Sequence, residues 1–421
     1  MRLLPSTRPG VFSLAFTLNR RYSSASSSPP QLHINASRLR NTISEVTALS
    51  QPAPLSNPPS GPTPTGTSLL PPTISLRHYL TTSLAIPPII DDIGSLFLPL
   101  PSLRPSAPTI ALGGPLDASP LPLLAALEVL RTLRDNDVPL NHQLILIGWS
   151  CTSGSRFPRA LLGSSVWAGL LGVEEAWNLR ETSGEMLGRR TVKACLRESG
   201  WLGDLQQSLH LAAYFEAAPS SSPYAEVGLA TGTGAWRWLD VTVTGGDALA
   251  AASRCILAAR DVGTWHSASE VSTGVFEAAN KGFAGRVEEV KFSVWIRAPN
   301  SQTVGLMHEE CTAIWKEVCD EEDAMVQKVV TVMDEAQERF AATAVEAVRE
   351  AVEDTVPGVV VGGRVQASEA MGGDGVRNGG GGEEVKREGL VDGVVDAVNT
   401  ARRGVPTGVV TVPERLGKEA W

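Results

Sequence analysis

The 421 residues are poor in the groups that metal-bound or cross-linked proteins rely on, with five cysteines, six histidines and 5% aromatic side chains. Cys151, Cys195, Cys255, Cys311 and Cys319 form no CxxC pair, and only the last two share a helix-like run. They read as reduced, buried thiols, which excludes a disulfide framework and a zinc knuckle. His33, His78, His142, His210, His266 and His308 show no paired spacing on one helix face, so a metal motif of the HExxH type is absent. No uninterrupted apolar run approaches the roughly 20 residues that a bilayer-spanning helix needs, because Pro, Ser or charge breaks each candidate.

What is present is an ordinary globular composition, 43% hydrophobic and 19% charged with a net charge of −9, enough for one large or two ordinary domains. The acidic balance argues against bulk attraction to nucleic acid or anionic lipid, and basic clusters such as Arg402 and Arg403 are too short to reverse it. The start differs in kind. From Met1 to Val46 the one carboxylate is Glu45, while Arg2, Arg8, Arg20 and Arg21 punctuate apolar and hydroxylated residues. That is the composition of a mitochondrial presequence, expected over residues 1–24, and it implies a matrix location. Residues 25–72 are expected to hold a Pro/Ser-rich linker and a first helix.

Beyond Pro72 strand-like and helix-like segments alternate, which predicts an α/β fold with a mixed central sheet flanked by helices. Thr109–Leu112 and Gln143–Trp149 are apolar runs of strand length. Leu123, Leu124, Leu127, Leu130 and Leu133 recur between them at helical spacing, which gives a β-α-β unit ending near Asn136 and Pro139. A second pattern predicts a compact α+β module over 228–325. It contains a strand with Trp236, Trp238, Val241 and Val243, a helix over Ala248–Ala259, a strand over Val290–Arg297, and a helical stripe of Val304, Met307, Cys311, Ile314, Trp315 and Val318. The larger domain is expected over 73–227 and again over 326–421, with a strand at Val326–Val332, a helix at Ala341–Glu353, a glycine-rich loop at 372–382 and a last strand before Pro413.

Specific strings then carry a resemblance: LAALEVL at Leu124–Leu130, WSCTSGSRFPRALLGSSVWAG at Trp149–Gly169, WRWLDVTVTG at Trp236–Gly245, AASRCIL at Ala251–Leu257 and VPTGVVTVP at Val405–Pro413. In order and spacing they resemble the N-carbamoyl-L-amino-acid hydrolase family, amidohydrolases that include β-ureidopropionase and allantoate amidohydrolase and are related to dinuclear-zinc exopeptidases. The resemblance implies a zinc-exopeptidase-like catalytic domain interrupted by a smaller dimerisation lid, a homodimer, and two zinc or manganese ions that activate a bridging water against a ureido or amide carbon.

That chemistry needs imidazole and carboxylate ligands to lower the pKa of bound water and a carboxylate to take its proton. The matching positions carry other residues. Where the family reads GSHLDT the chain has Gly113-Gly114-Pro115-Leu116-Asp117-Ala118, so Pro115 replaces the first imidazole and Asp117 is the one candidate for the bridging aspartate. The two adjacent glutamates of WTNEEGARF fall on Thr152 and Ser153, the histidine of ELHIEQGP falls on Tyr214 with Glu216 retained, and GHDA becomes Val394-Val395-Asp396-Ala397. The HAGTTPM loop is missing. Arg156, Asn280 and Arg297 remain as candidates for binding a substrate carboxylate, although each can equally serve the fold.

Three readings follow. The first is a non-catalytic member that holds no metal and works by binding or by pairing its lid with another copy or an active paralogue. The second is a hydrolase of carbamoyl or ureido compounds with a rebuilt metal site. The third is a metal-independent hydrolase using Ser150 or Cys151, which follow a strand somewhat as in a nucleophile elbow but lack its second glycine and an assignable histidine.

Overall fold

The computed structural model describes residues 32–50, 76–77, 79–82, 86–181 apart from 101, 103, 105, 120, 139 and 141, then 190–203, 209–220, 228–278, 285–355, 388–391 and 395–413. The expected presequence, the glycine-rich loop and Asn280 lie outside the described residues. Among these residues no helix is long and apolar enough to cross a membrane.

Two sheets organise the described residues. The larger is mixed, and along its main path the order is β1 (Ile89–Ile90), β2 (Leu96–Pro99), β4 (Gln143–Trp149), β3 (Thr109–Pro115), β5 (Leu211–Ser220), β14 (Thr407–Pro413), β6 (Gly228–Thr233) and β12 (Glu338–Arg339). A further strand, β13 (Glu388–Val391), pairs with β6. The centre, β4-β3-β5-β14, is parallel. β3 and β4 are joined by the helix Leu121–Asp135, which buries Leu123, Leu124, Leu127 and Leu130 against the sheet at the helical spacing read from the sequence. It ends where Asp137 takes a left-handed φ of 47° and the Val138 amide returns to the Leu133 carbonyl at 3.0 Å.

The smaller sheet is antiparallel, in the order β11 (Met325–Glu335), β7 (Ala235–Thr244), β10 (Glu289–Ala298) and β8 (Glu270–Ser272), with β9 (Phe276–Ala278) also on β10. Period-two alternation sends Leu239, Val241 and Val243 of β7 and Val290, Phe292, Val294 and Ile296 of β10 to one face. Helices Ala248–Trp265 and Ser301–Glu321 cover that face, begun by Asp247 and Asn300, whose side chains accept from the amides of Ala250 and Thr303. Trp315 is fully buried there, edge-on to Phe292 at 6.1 Å, and its indole N–H donates to the Cys255 carbonyl at 2.9 Å. All five cysteines are free and buried.

The boundaries of the small unit differ from the expected 228–325. β6 pairs with β14 in the large sheet, and β11 pairs with β7 over its whole length, so the small sheet spans β7 to β11. Strand partners are set by long-range register, which a local pattern does not contain. The second face of the small sheet presents Trp236, Trp238, Trp295 and Met333, which pack on Ala160, Leu161 and Val398 of the larger unit. Gly154, at φ 69°, lies beneath Trp238, where a Cβ would come within 3.1 Å of the ring.

Candidate active site

The carboxyl ends of parallel strands are where α/β sheets place ligands, and the retained acids gather there. β3 ends at Pro115, buried and paired with Trp149 at the end of β4. The chain leaves β3 to place Asp117 against the segment that leaves β4. Its Oδ1 accepts from the Thr152 amide at 2.8 Å, and its Oδ2 accepts from the Ser153 hydroxyl at 2.9 Å and the Ser153 amide at 3.3 Å. Thr152 then bridges onward, its hydroxyl donating to Asp396 Oδ2 at 2.7 Å. The other oxygen of Asp396 accepts from the Ser164 hydroxyl at 2.5 Å, and the Asn399 amide group donates to Ser164 Oγ and Ser165 Oγ at 2.9 and 3.0 Å.

Tyr214 and Glu216, two apart on β5, share one face of the sheet. The Tyr214 hydroxyl donates to Glu216 Oε2 at 3.0 Å and accepts from the Trp149 indole at 3.0 Å, while the Ala397 amide adds a second donor to Glu216 at 3.1 Å. Gly113 is required opposite this tyrosine, since a Cβ would lie 2.7 Å from its ring and 2.8 Å from the Ile147 carbonyl. Asp396 and Ala397 therefore tie both acid systems together.

Every donor in these bonds is a hydroxyl, an amide or an indole; no guanidinium, ammonium or imidazole is among them. Burial consequently raises each acid. Asp117 is raised mainly by burial, against the opposing bonds from Thr152 and Ser153. Asp396 is pushed up to about 7 by burial, with the Ser164 and Thr152 hydroxyls opposing and the charge of Asp117 adding. Glu216 stands well above the carboxylate range through burial and then the charge of Asp396. Among the described residues no group of three or more His, Cys, Asp or Glu is arranged to hold a metal ion.

The remaining candidates are placed elsewhere or otherwise engaged. Ser150 is buried and its hydroxyl donates to the Ile93 carbonyl at 2.7 Å. Cys151 adopts a left-handed φ of 52° but its thiol is packed among Ile93, Phe157, Leu162 and Cys195, and burial pushes it well above the ordinary thiol range. Arg156 pairs with Glu181 at 2.6 Å and also donates to Cys195 Sγ, and Arg297, on β10, pairs with Glu270 at 3.0 Å. Two of the histidines are committed in the small unit, His266 to Glu310 and His308 to Arg237. Sequence reasoning did not single out Asp396, Trp149, Ser164 or Asn399. For Asp396 the signal was there, an aspartate kept where the GHDA histidine is not.

Replacing Tyr214 with Phe should leave the Trp149 N–H and Glu216 Oε2 each one partner short inside the core. The expected loss is about 1–3 kcal/mol, read from the urea midpoint at unchanged m. A midpoint equal to that of the unsubstituted protein would contradict the bonding described here.

No protein-family profile matches the chain. In sequence it is similar to the N-carbamoyl-L-amino-acid amidohydrolase of Rhizobium meliloti, 31% identical over 175 residues that make up 38% of this chain and 40% of that protein. The aligned stretches span less than half the length of the curated relatives it matches. In structure it is similar to a hydantoinase/carbamoylase family amidase from Burkholderia vietnamiensis, with TM-score 0.73 and 20% identity over 92% of this chain and 91% of that one. It is also similar to AtUAH in complex with (S)-hydroxyglycine, with TM-score 0.70 and 17% identity over 91% and 90%. The chain thus has the fold of the hydantoinase/carbamoylase amidases and resembles the N-carbamoyl-L-amino-acid hydrolase family in sequence.

Proposed function

We propose that this amidohydrolase-like chain is a non-catalytic relative of the carbamoylases, acting by binding or by association of its lid with a second copy or with an active paralogue. The observation that carries the reading is the way the pocket acids are satisfied. Asp117, Glu216 and Asp396 are each engaged by hydroxyl and amide donors of the chain itself. A pair of divalent ions needs converging, deprotonated donors. The residues present do not fit such a centre: Pro115 has no donor side chain, Thr152 and Ser153 spend theirs on Asp396 and Asp117, and Tyr214 donates to the acid that would bind metal. We further propose a matrix location set by residues 1–24.

A second reading has one observation in its favour, since three carboxyl groups remain near the ends of the parallel strands. On it, the chain hydrolyses a carbamoyl or ureido compound, as the name of the Rhizobium relative suggests for that protein. Metal analysis of protein purified without chelator separates the two. The proposed reading expects well under one equivalent of zinc, manganese or cobalt per chain and no turnover of N-carbamoyl amino acids, β-ureidopropionate or allantoate with manganese added. Stoichiometric metal would sink it.

A further inference from the structure

The Arg402-Arg403 pair, too short to act as a basic patch, lies where the two sheets meet. The chain passes between them at two short crossings, Gly234 between β6 and β7 and residues 336–337 between β11 and β12. Two such crossings between separately cored units make a hinge unless something holds them.

Arg402 does so on the return crossing. Its Nη1 pairs with Glu335 Oε2, its Nη2 donates to the Ala336 carbonyl at 2.9 Å, and its Nε lies 3.7 Å from Glu338 Oε2. The Arg402 and Glu335 side chains are only 18% and 15% exposed, so water screens this pair less than a surface bridge. The planar fork of a guanidinium suits three acceptors spread along one segment; an ammonium is a single point charge. The element carrying it is pinned in turn. Helix Ala397–Arg402 starts at Asp396, held by Thr152 and Ser164; the Ala397 amide is bound to Glu216, and Asn399 to Ser164 and Ser165. Arg403 donates to the Trp167 carbonyl and lies 4.3 Å above that indole, fastening the far end of the helix to the large unit. Beside this joint the Ala160 amide donates to Met333 Sδ at 3.1 Å, and the tryptophan face of the small sheet rests on Ala160 and Leu161.

We propose that Arg402 is a latch that fixes the angle between the small sheet and the large one, holding the lid against the 154–161 segment that leads out of the candidate site. This goes beyond the functional reading and does not depend on whether the pocket turns over a substrate.

The test is the distance distribution between spin labels at Leu257→Cys in the lid and Glu174→Cys in the large unit, measured by pulsed electron resonance on the full chain; the five native thiols are buried. The unsubstituted joint should give one narrow distribution. Arg402→Ala should broaden or shift it, as expected of a released hinge, and Arg402→Lys should fall between. Glu335→Ala with Glu338→Ala removes both carboxylate partners while leaving Arg402 and its helix in place, and should reproduce the broadening or shift. Arg254→Ala, which breaks a pair on the lid surface away from the joint, should leave the width unchanged. A distribution unchanged in both mean and width in the Glu335→Ala, Glu338→Ala protein overturns the latch, as does one unchanged in both in Arg402→Ala.

Discussion

Raising the pH from about 5 to about 8 is expected to weaken the fold by a few kcal/mol, and Asp396→Asn should remove part of that loss. Asp396 is pushed up to about 7 in the fold, above the 3.8 of a free aspartate. Between those values the folded state holds a proton that the unfolded chain has released. Stability is therefore full below the unfolded value, falls through this window, and reaches its lower plateau above the folded pKa. Asparagine keeps the shape and an acceptor oxygen for Thr152 or Ser164, and it lifts a negative charge from beside Glu216. Asp91, also pushed to about 7 by burial, contributes as much in the same window, and Asp117 and Glu216 are raised as well, so a substantial slope should persist. Urea melts at a series of pH values would check this; parallel pH profiles for the two proteins would refute the assignment to Asp396.

Trp315→Ala should cost about 3–5 kcal/mol, because a fully buried indole leaves a cavity that two helices and a sheet cannot all collapse to fill. The Cys255 carbonyl would also lose its indole donor. Trp315→Phe should recover part of the loss, since the edge contact with Phe292 can be kept. Thermal or urea unfolding followed by circular dichroism measures both. A loss under about 1 kcal/mol for the alanine protein would mean that the lid core is not built around this side chain.

The parts of the fold legible in the sequence were those whose pattern is local. The leucines at helical spacing between two apolar runs gave the β3-helix-β4 unit, and the alternating valines of β7 and β10 with the Val304–Val318 stripe gave most of the lid. β11 was visible as a strand but not as a lid strand. Its run of valines marks a strand, but the pairing with β7 is a long-range contact that the run does not encode. The candidate site was half legible. Motif comparison singled out Pro115, Asp117, Thr152, Ser153, Tyr214 and Glu216, and the fold does bring five of these into two linked hydrogen-bond systems. It did not reveal that Asp396 joins the systems, because that junction depends on a helix from the end of the chain meeting the turn after β4. The same is true of Arg156: its Glu181 partner sits in another segment and cannot be read from the RF dipeptide.

The place of β14 has a bearing on biogenesis. A strand from the final described segment is wedged between β5 and β6 in the interior of the large sheet, parallel to one and antiparallel to the other. Until it arrives, both neighbours present naked edges able to recruit other chains. A nascent polypeptide emerging from the ribosome thus has no finished sheet to fold, and a truncation before Thr407 should yield aggregates instead of a smaller soluble protein.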